Sequence, residues 1–154
     1  MKYREYKVGF TFEVPDYFSE VRESSFEVFN VADNTLKYFI FLNDEGEVLR
    51  SFSFSKDKDV VKTDEQYQEV LNKNINLMEQ AGFTKVINNQ LKADNGLLID
   101  RYVYADLEMK EKVGLLVYFV RIKDAFIVSS CYITDFYDFF EQEMFDIYNS
   151  IEVL

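Results

Sequence analysis

Leu115-Leu116-Val117-Tyr118-Phe119-Val120 is apolar at every position, so both alternating sets of side chains along it favour leaving water. A strand sends successive side chains to opposite faces, and one that is apolar on both needs a cover on each. Leu36-Lys37-Tyr38-Phe39-Ile40-Phe41-Leu42 repeats the pattern with a single lysine in it. Two such strands predict a sheet with a layer packed above it and another below.

The strand at about Val113 to Ile122 runs into Lys123-Asp124, a link short enough for a hairpin to a strand at Phe126 to Ile133. Upstream, Leu97 to Ala105 reads as a strand, and a short one lies near Lys85 to Leu91. Near the N-terminus, Val8, Phe10, Phe12 and Val14 alternate with Gly9, Thr11 and Glu13 until Pro15-Asp16 ends the run. Strands are also expected at Phe26 to Val31, Leu36 to Leu42 and Val48 to Ser55. Asp33-Asn34 and Asn43-Asp44-Glu45-Gly46 supply turn chemistry between them, which predicts an antiparallel meander.

Two segments carry helical spacing. From Asp64 to Ala81, the residues Tyr67, Val70, Leu71, Ile75, Met78 and Ala81 form one stripe, Thr63 with Gln66 makes a capping-box start, and Gly82-Phe83 makes a stop. Asn74 falls on that apolar stripe and is expected as a buried amide satisfied by nearby backbone. A second helix is expected from Asp135 to Ser150, capped by Thr134, with Phe136, Phe140, Met144, Ile147, Tyr148 and Ile151 as its stripe. One helix on each face of a mainly antiparallel sheet makes an α+β fold, a three-layer α/β/α sandwich. With one proline and no Gly/Ser-rich linker, the 154 residues read as a single domain, 1–154.

The balance of 17 basic and 28 acidic residues leaves a formal charge of -11. That excess repels phosphate backbones and anionic bilayers, so neither a nucleic acid nor a membrane is expected as partner. No stretch approaches the roughly 20 apolar residues of a membrane span, and the opening Met-Lys-Tyr-Arg-Glu-Tyr-Lys has no apolar run behind it. A basic protein, a metal cation and plain solubility all fit the charge. The chain contains no histidine, which removes the commonest general base, the commonest metal ligand and the Ser-His and Cys-His pairs together. No catalytic residue and no cofactor is assigned. The one cysteine, Cys131, cannot form an internal disulfide and reads as a buried strand residue. It fits a cytoplasmic chain, although an exported chain with its signal removed would look the same.

Three groups of residues could form sites. Asp57, Asp59, Asp64 and Glu65 bracket the start of the first helix and could gather oxygen ligands for a divalent cation, or they are solvated helix-start acids diluted by Lys56, Lys58 and Lys62. Arg50, Arg101 and Arg121 lie in expected strands and, if they converged, would offer planar forks to a carboxylate or phosphate; otherwise they snorkel or pair with residues such as Asp100. Phe139 and Phe145 lie outside the main stripe of the last helix, where they could contact a partner chain or widen the buried face.

The segment Gly9-Phe10-Thr11-Phe12-Glu13-Val14-Pro15 opens the strand meander, and the central helix closes on Ala81-Gly82-Phe83. Asp100-Arg101-Tyr102 precedes a long hairpin, and the last helix ends in Asn149-Ser150-Ile151. In this order the chain resembles PsbP-like and DcrB-like domains over nearly its whole length. The resemblance implies an α/β/α sandwich around an antiparallel sheet. That grouping includes the oxygen-evolving PsbP subunit of photosystems, a Ran-binding nuclear import factor and many bacterial proteins of unknown role, so it implies a binding or accessory protein and transfers no functional residue. The expectation is a non-enzymatic domain working through protein contacts, by its acidic surface and last helix, with self-association open. The alternative is a small-ligand or divalent-metal domain with a pocket between sheet and helix, and an enzyme working without histidine comes third.

Overall fold

The computed structural model of the chain describes residues 1–106, 114–133 and 140–154. In chain order its elements are β1 (Lys2–Glu5), β2 (Phe10–Glu13), β3 (Ser19–Glu20), β4 (Thr35–Leu42), β5 (Val48–Val60), α1 (Asp64–Gln80), β6 (Phe83–Lys92), β7 (Leu98–Asp106), β8 (Gly114–Ile122), β9 (Ala125–Ile133), α2 (Phe140–Asn149) and β10 (Glu152–Val153). The main sheet has the order β3-β4-β5-β9-β8-β7-β6, and all its pairings are antiparallel.

β8 lies inside this sheet and is covered on both faces, as its doubly apolar sequence requires. Leu115, Val117 and Phe119 enter a core shared with Val70 and Leu71 of α1, while Leu116, Tyr118 and Val120 enter a larger core shared with α2. All six are buried. The chain therefore has an α+β sandwich, with α1 and α2 on opposite faces of one antiparallel sheet. Beside α2 the larger core also contains Phe10 and Phe12 of a separate small sheet, β1-β2-β10. Rings knit the two sheets together: Phe54 meets Phe12 at 4.8 Å and Phe10 at 5.6 Å, and Phe39 meets Phe12 at 5.8 Å.

The ends of the helices follow from local chemistry. Thr63 Oγ1 accepts the Gln66 amide at 3.1 Å, and Gln66 Oε1 reaches back to accept the Lys62 amide at 2.7 Å. At the other end Gly82 takes φ +95°, a left-handed conformation that glycine adopts without a Cβ penalty. Asn74 is half-buried and donates to the Val70 carbonyl at 2.9 Å, and its amide also reaches Asp57 Oδ2 at 3.3 Å. The C-terminal end of α2 is tied from outside the helix: Asn95 Nδ2 donates to Tyr148 O at 2.8 Å and, just beyond the helix, to Ile151 O at 2.9 Å.

Some elements differ from the sequence expectation. Phe26 to Val31 is not a strand: a 3₁₀ turn at Glu23–Ser25 leads into further turns, with the Asn30 amide bonded to Glu27 O and the Val31 amide to Phe26 O. Its backbone is satisfied locally, and its apolar side chains lie over the sheet or in solvent, with Val28 82% exposed. β1 and β10 were not anticipated; both pair with β2 and take it out of the main sheet. β5 continues to Val60 because β9 keeps pairing with it as far as Ala125. β6 is a full edge strand of 10 residues where only a short one was expected. The capping Thr134, the helix start at Asp135, and Phe136 and Phe139 lie outside the described residues, as does Val113.

Candidate functional site

The arginines do not converge. Neighbouring residues of a strand face opposite ways, and this parity sends Arg101 to the α2 face and Asp100 to the α1 face, so the expected pairing of these two neighbours does not form. Arg101 Nη1 instead meets Glu141 Oε2 at 2.6 Å while its Nε donates to Asn89 Oδ1 at 2.9 Å. On the same face Arg50 Nη1 meets Glu143 Oε1 at 3.3 Å. Arg50 also lies over the Phe41 ring, 4.2 Å from its centroid, and the Tyr17 hydroxyl donates to Glu143 Oε2. Two arginines of the sheet thus hold two carboxylates of one helix. Arg121 is on the other face, where Nη2 donates to Lys62 O at 2.7 Å and Nη1 reaches Asp64 Oδ1 at 3.5 Å. These guanidinium groups clamp layers, and the geometry offers no common anion site.

The acidic cluster is likewise divided. Asp57 and Asp59 share the Lys73 ammonium, at 3.3 and 2.6 Å, Asp64 turns to Arg121, and Glu65 is exposed. Among the described residues no three of aspartate, glutamate or cysteine gather as a metal site would require. Burial pushes the Asp57 carboxyl up, but hydrogen bonds from the Asp59 amide, Asn74 and Lys73 outweigh it and hold the group below its ordinary 3.8. Such a carboxylate stabilises the fold above that ordinary value, and its contribution disappears as pH falls through the lower folded value. Asp57→Asn is therefore expected to lower stability at neutral pH and to flatten its decline in acid. Denaturation midpoints followed from pH 7 to pH 2 check this, and superimposable acid limbs for the two chains would contradict it.

Phe145 is half-buried and packs against the larger core, which agrees with the widened buried face that its sequence position also allowed. It widens the buried stripe of Phe140, Met144, Ile147 and Tyr148. Cys131 is a buried free thiol, pushed far up by burial, so it has no thiolate with which to attack.

Between α1 and the sheet lies a cleft of about 430 Å³ lined by Asp64, Tyr67, Leu97, Leu98, Asp100 and Arg121 among others. The first turns of α1 supply Tyr67, and the alternation of β7 supplies Asp100. The phenol bonds Asp100 Oδ2 at 2.6 Å and lies 3.2 Å from the Phe119 carbonyl. Burial and then the Asp100 carboxylate push the Tyr67 hydroxyl well above its usual value, which fixes it as a proton donor and not a base. Its polar lining is the Asp64 and Asp100 carboxylates, the Tyr67 phenol, the Arg121 guanidinium and the Gln68 and Gln90 amides. Tyr67 reads in sequence as one more apolar stripe residue; only the distant β7 reveals its polar role.

No protein-family model matches the chain, and neither does any curated protein. Among solved structures, cyanobacterial PsbP (CyanoP) from Synechocystis sp. PCC 6803 is similar over 100% of this chain and 92% of its own, with a TM-score of 0.62 at 15% identity. A Bacteroides thetaiotaomicron protein is similar over 99% of this chain and 48% of its own, with a TM-score of 0.48 at 10% identity. The likeness to cyanobacterial PsbP is one of fold.

Proposed function

We propose, from a PsbP-like sandwich in which Arg50, Arg101 and Arg121 hold neighbouring elements together, that this chain is a non-catalytic accessory domain that binds another protein through the outer stripe of α1. One observation carries the reading. Glu65, Glu69, Asn72, Asn76 and Glu79 are all exposed and recur at helical spacing along a single line, and none of the three carboxylates has an ion-pair partner among the described residues. Lys73, the one cation of the helix, is already engaged by Asp57 and Asp59. A row of uncompensated carboxylates and amides suits a basic protein surface, steering its approach and fixing its register. The last helix, first expected to share this role, is the buried one: Phe140, Glu143, Met144, Ile147 and Tyr148 are all covered. No helix of the described residues is long and apolar enough to cross a membrane; cytoplasmic residence is part of the proposal and rests on the free thiol of Cys131.

Affinity capture with the wild-type chain and with the double variant Glu65→Lys/Glu69→Lys tests the reading. The wild type is expected to retain a basic protein and to release it as salt rises, and the variant to bind it about tenfold more weakly. Equal capture by both chains, or capture insensitive to salt, overturns the reading. A second reading is favoured by the cleft beside Tyr67, Asp100 and Arg121, whose mixed charges suit a small polar ligand. A thermal shift produced by such a ligand and lost in Arg121→Met would support it.

A further inference from the structure

α1 packs on side chains of β7, β8 and β9 and leaves the β4–β5 end of the same sheet face to a different cover. There residues 29–32 arch over the strands and enclose a hollow of about 260 Å³. Its floor follows from the alternation of β5, where Phe52 and Phe54 point into the larger core and Ser51, Ser53 and Ser55 point the other way. Ser53 pairs with Tyr38 on one side, and on the other it lies between the Ser51–Tyr132 and Ser55–Val128 pairs. Small side chains flanked by two tyrosines leave a depression that leucine or isoleucine would fill.

Six hydroxyl groups line it: Thr35, Tyr38, Ser53, Ser55, Ser130 and Tyr132. Thr35 and Ser55 lie 3.3 Å apart and bond each other. The side chains of Ser53, Ser130, Tyr38 and Tyr132 make no hydrogen bond to another described residue, although Ser53 is only 9% exposed. Phe29 forms part of the cover, its ring 6.0 Å from that of Tyr38. No charged residue lines the hollow, in a chain that carries 17 basic and 28 acidic ones.

This lining selects by exclusion. A charged ligand would lose its hydration with no counter-charge to replace it, and a hydrocarbon would strip water from hydroxyls and leave them unpaired. A neutral ring bearing several hydroxyls satisfies both demands. Each of its groups can donate to or accept from a serine or tyrosine, and its C–H face can lie against Phe29 and Tyr38. The volume lies below the roughly 300–1,000 Å³ of sites for drug-sized molecules, which limits the occupant to one ring. We propose that the hollow between residues 29–32 and the serines of β5 is a binding site for a single neutral polyhydroxylated ring of sugar or cyclitol type. The site is separate from the α1 stripe and does not depend on it.

Backbone-amide NMR titration of the full chain with D-glucose, D-galactose and myo-inositol tests the proposal, with D-glucose 6-phosphate as the charged control. At least one neutral probe is expected to give saturable shifts confined to residues 29–38, 51–55 and 130–132; whether the sugars or the cyclitol do so distinguishes the two ring types. The phosphate is expected to bind at least tenfold more weakly. Ser53→Leu should abolish the response, and the gentler Ser130→Ala and Tyr132→Phe, whose melting temperatures should stay close to that of the wild type, should each weaken it several-fold. No saturable shift from any neutral probe, shifts mapping elsewhere, equal or tighter binding of the phosphate, or unchanged affinity in both hydroxyl variants would each overturn the proposal.

Discussion

Glu143→Ala is expected to destabilise the fold by about 2–3 kcal/mol, because it breaks a buried charge-assisted contact between α2 and β5. Arg50 is 6% exposed and Glu143 9%. The guanidinium is flanked by the rings of Tyr17, Phe18 and Phe41, and Glu143 supplies its carboxylate from the facing helix. Removing that carboxylate takes from Arg50 a buried charge-assisted contact and from the Tyr17 hydroxyl the Glu143 oxygen it donates to. The pair itself need not be strongly stabilising, since two charges taken from water recover about what they lose. The double variant Arg50→Met/Glu143→Met, which removes both charges, is expected to be no less stable than Glu143→Ala. Urea midpoints of the three chains check this. A midpoint for Glu143→Ala within error of the wild type would mean that α2 is not clamped to β5 in this way.

Phe54→Ala is expected to cost about 3–5 kcal/mol by a different route, the loss of packed apolar surface and the cavity left behind. Phe54 is fully buried and its ring meets Phe10, Phe12, Phe52 and Tyr148. It therefore touches the main sheet, the small sheet and α2 together, and few neighbours are free to collapse into the space. Val28→Ala, at a position 82% exposed in the cover segment, should stay within about 0.5 kcal/mol and serves as the control. Calorimetry of the two variants separates these expectations. Similar melting temperatures for both would contradict the placement of the larger core.

The layers were legible because they rest on periodicity that is local. β8 is apolar on both faces, so the need for two covers is written in six consecutive residues, and Thr63, Gln66 and Gly82 mark the ends of α1 within a few positions of the helix itself. The small sheet was not legible, since β1 and β10 are four- and two-residue strands and the pairing of β10 with β2 joins opposite ends of the chain. Phe26 to Val31 misled because a short apolar run reads alike as a strand and as a loop laid over a sheet. The arginines show how far charge can be followed in sequence: parity along β7 separates Arg101 from Asp100, yet finding Glu141 as its partner requires a helix 40 residues away. Sequence left two readings of Phe145 open, because a helix packed against both a sheet and a second small sheet buries a wider face than one stripe. The hydroxyl-lined hollow had a visible half, Ser51-Phe52-Ser53-Phe54-Ser55. Its other half comes from β4, β9 and the cover segment, which only the fold assembles.

Native-state hydrogen exchange, read amide by amide, tests most directly the claim that one antiparallel sheet is covered on both faces. Amides of β8 and β9 are expected to exchange only through global unfolding, while those of the edge strand β6 and of residues 22–34 exchange through smaller openings. Exchange of the β8 amides as fast as those of β6 would mean that the layer has an open flank, and the account would fail.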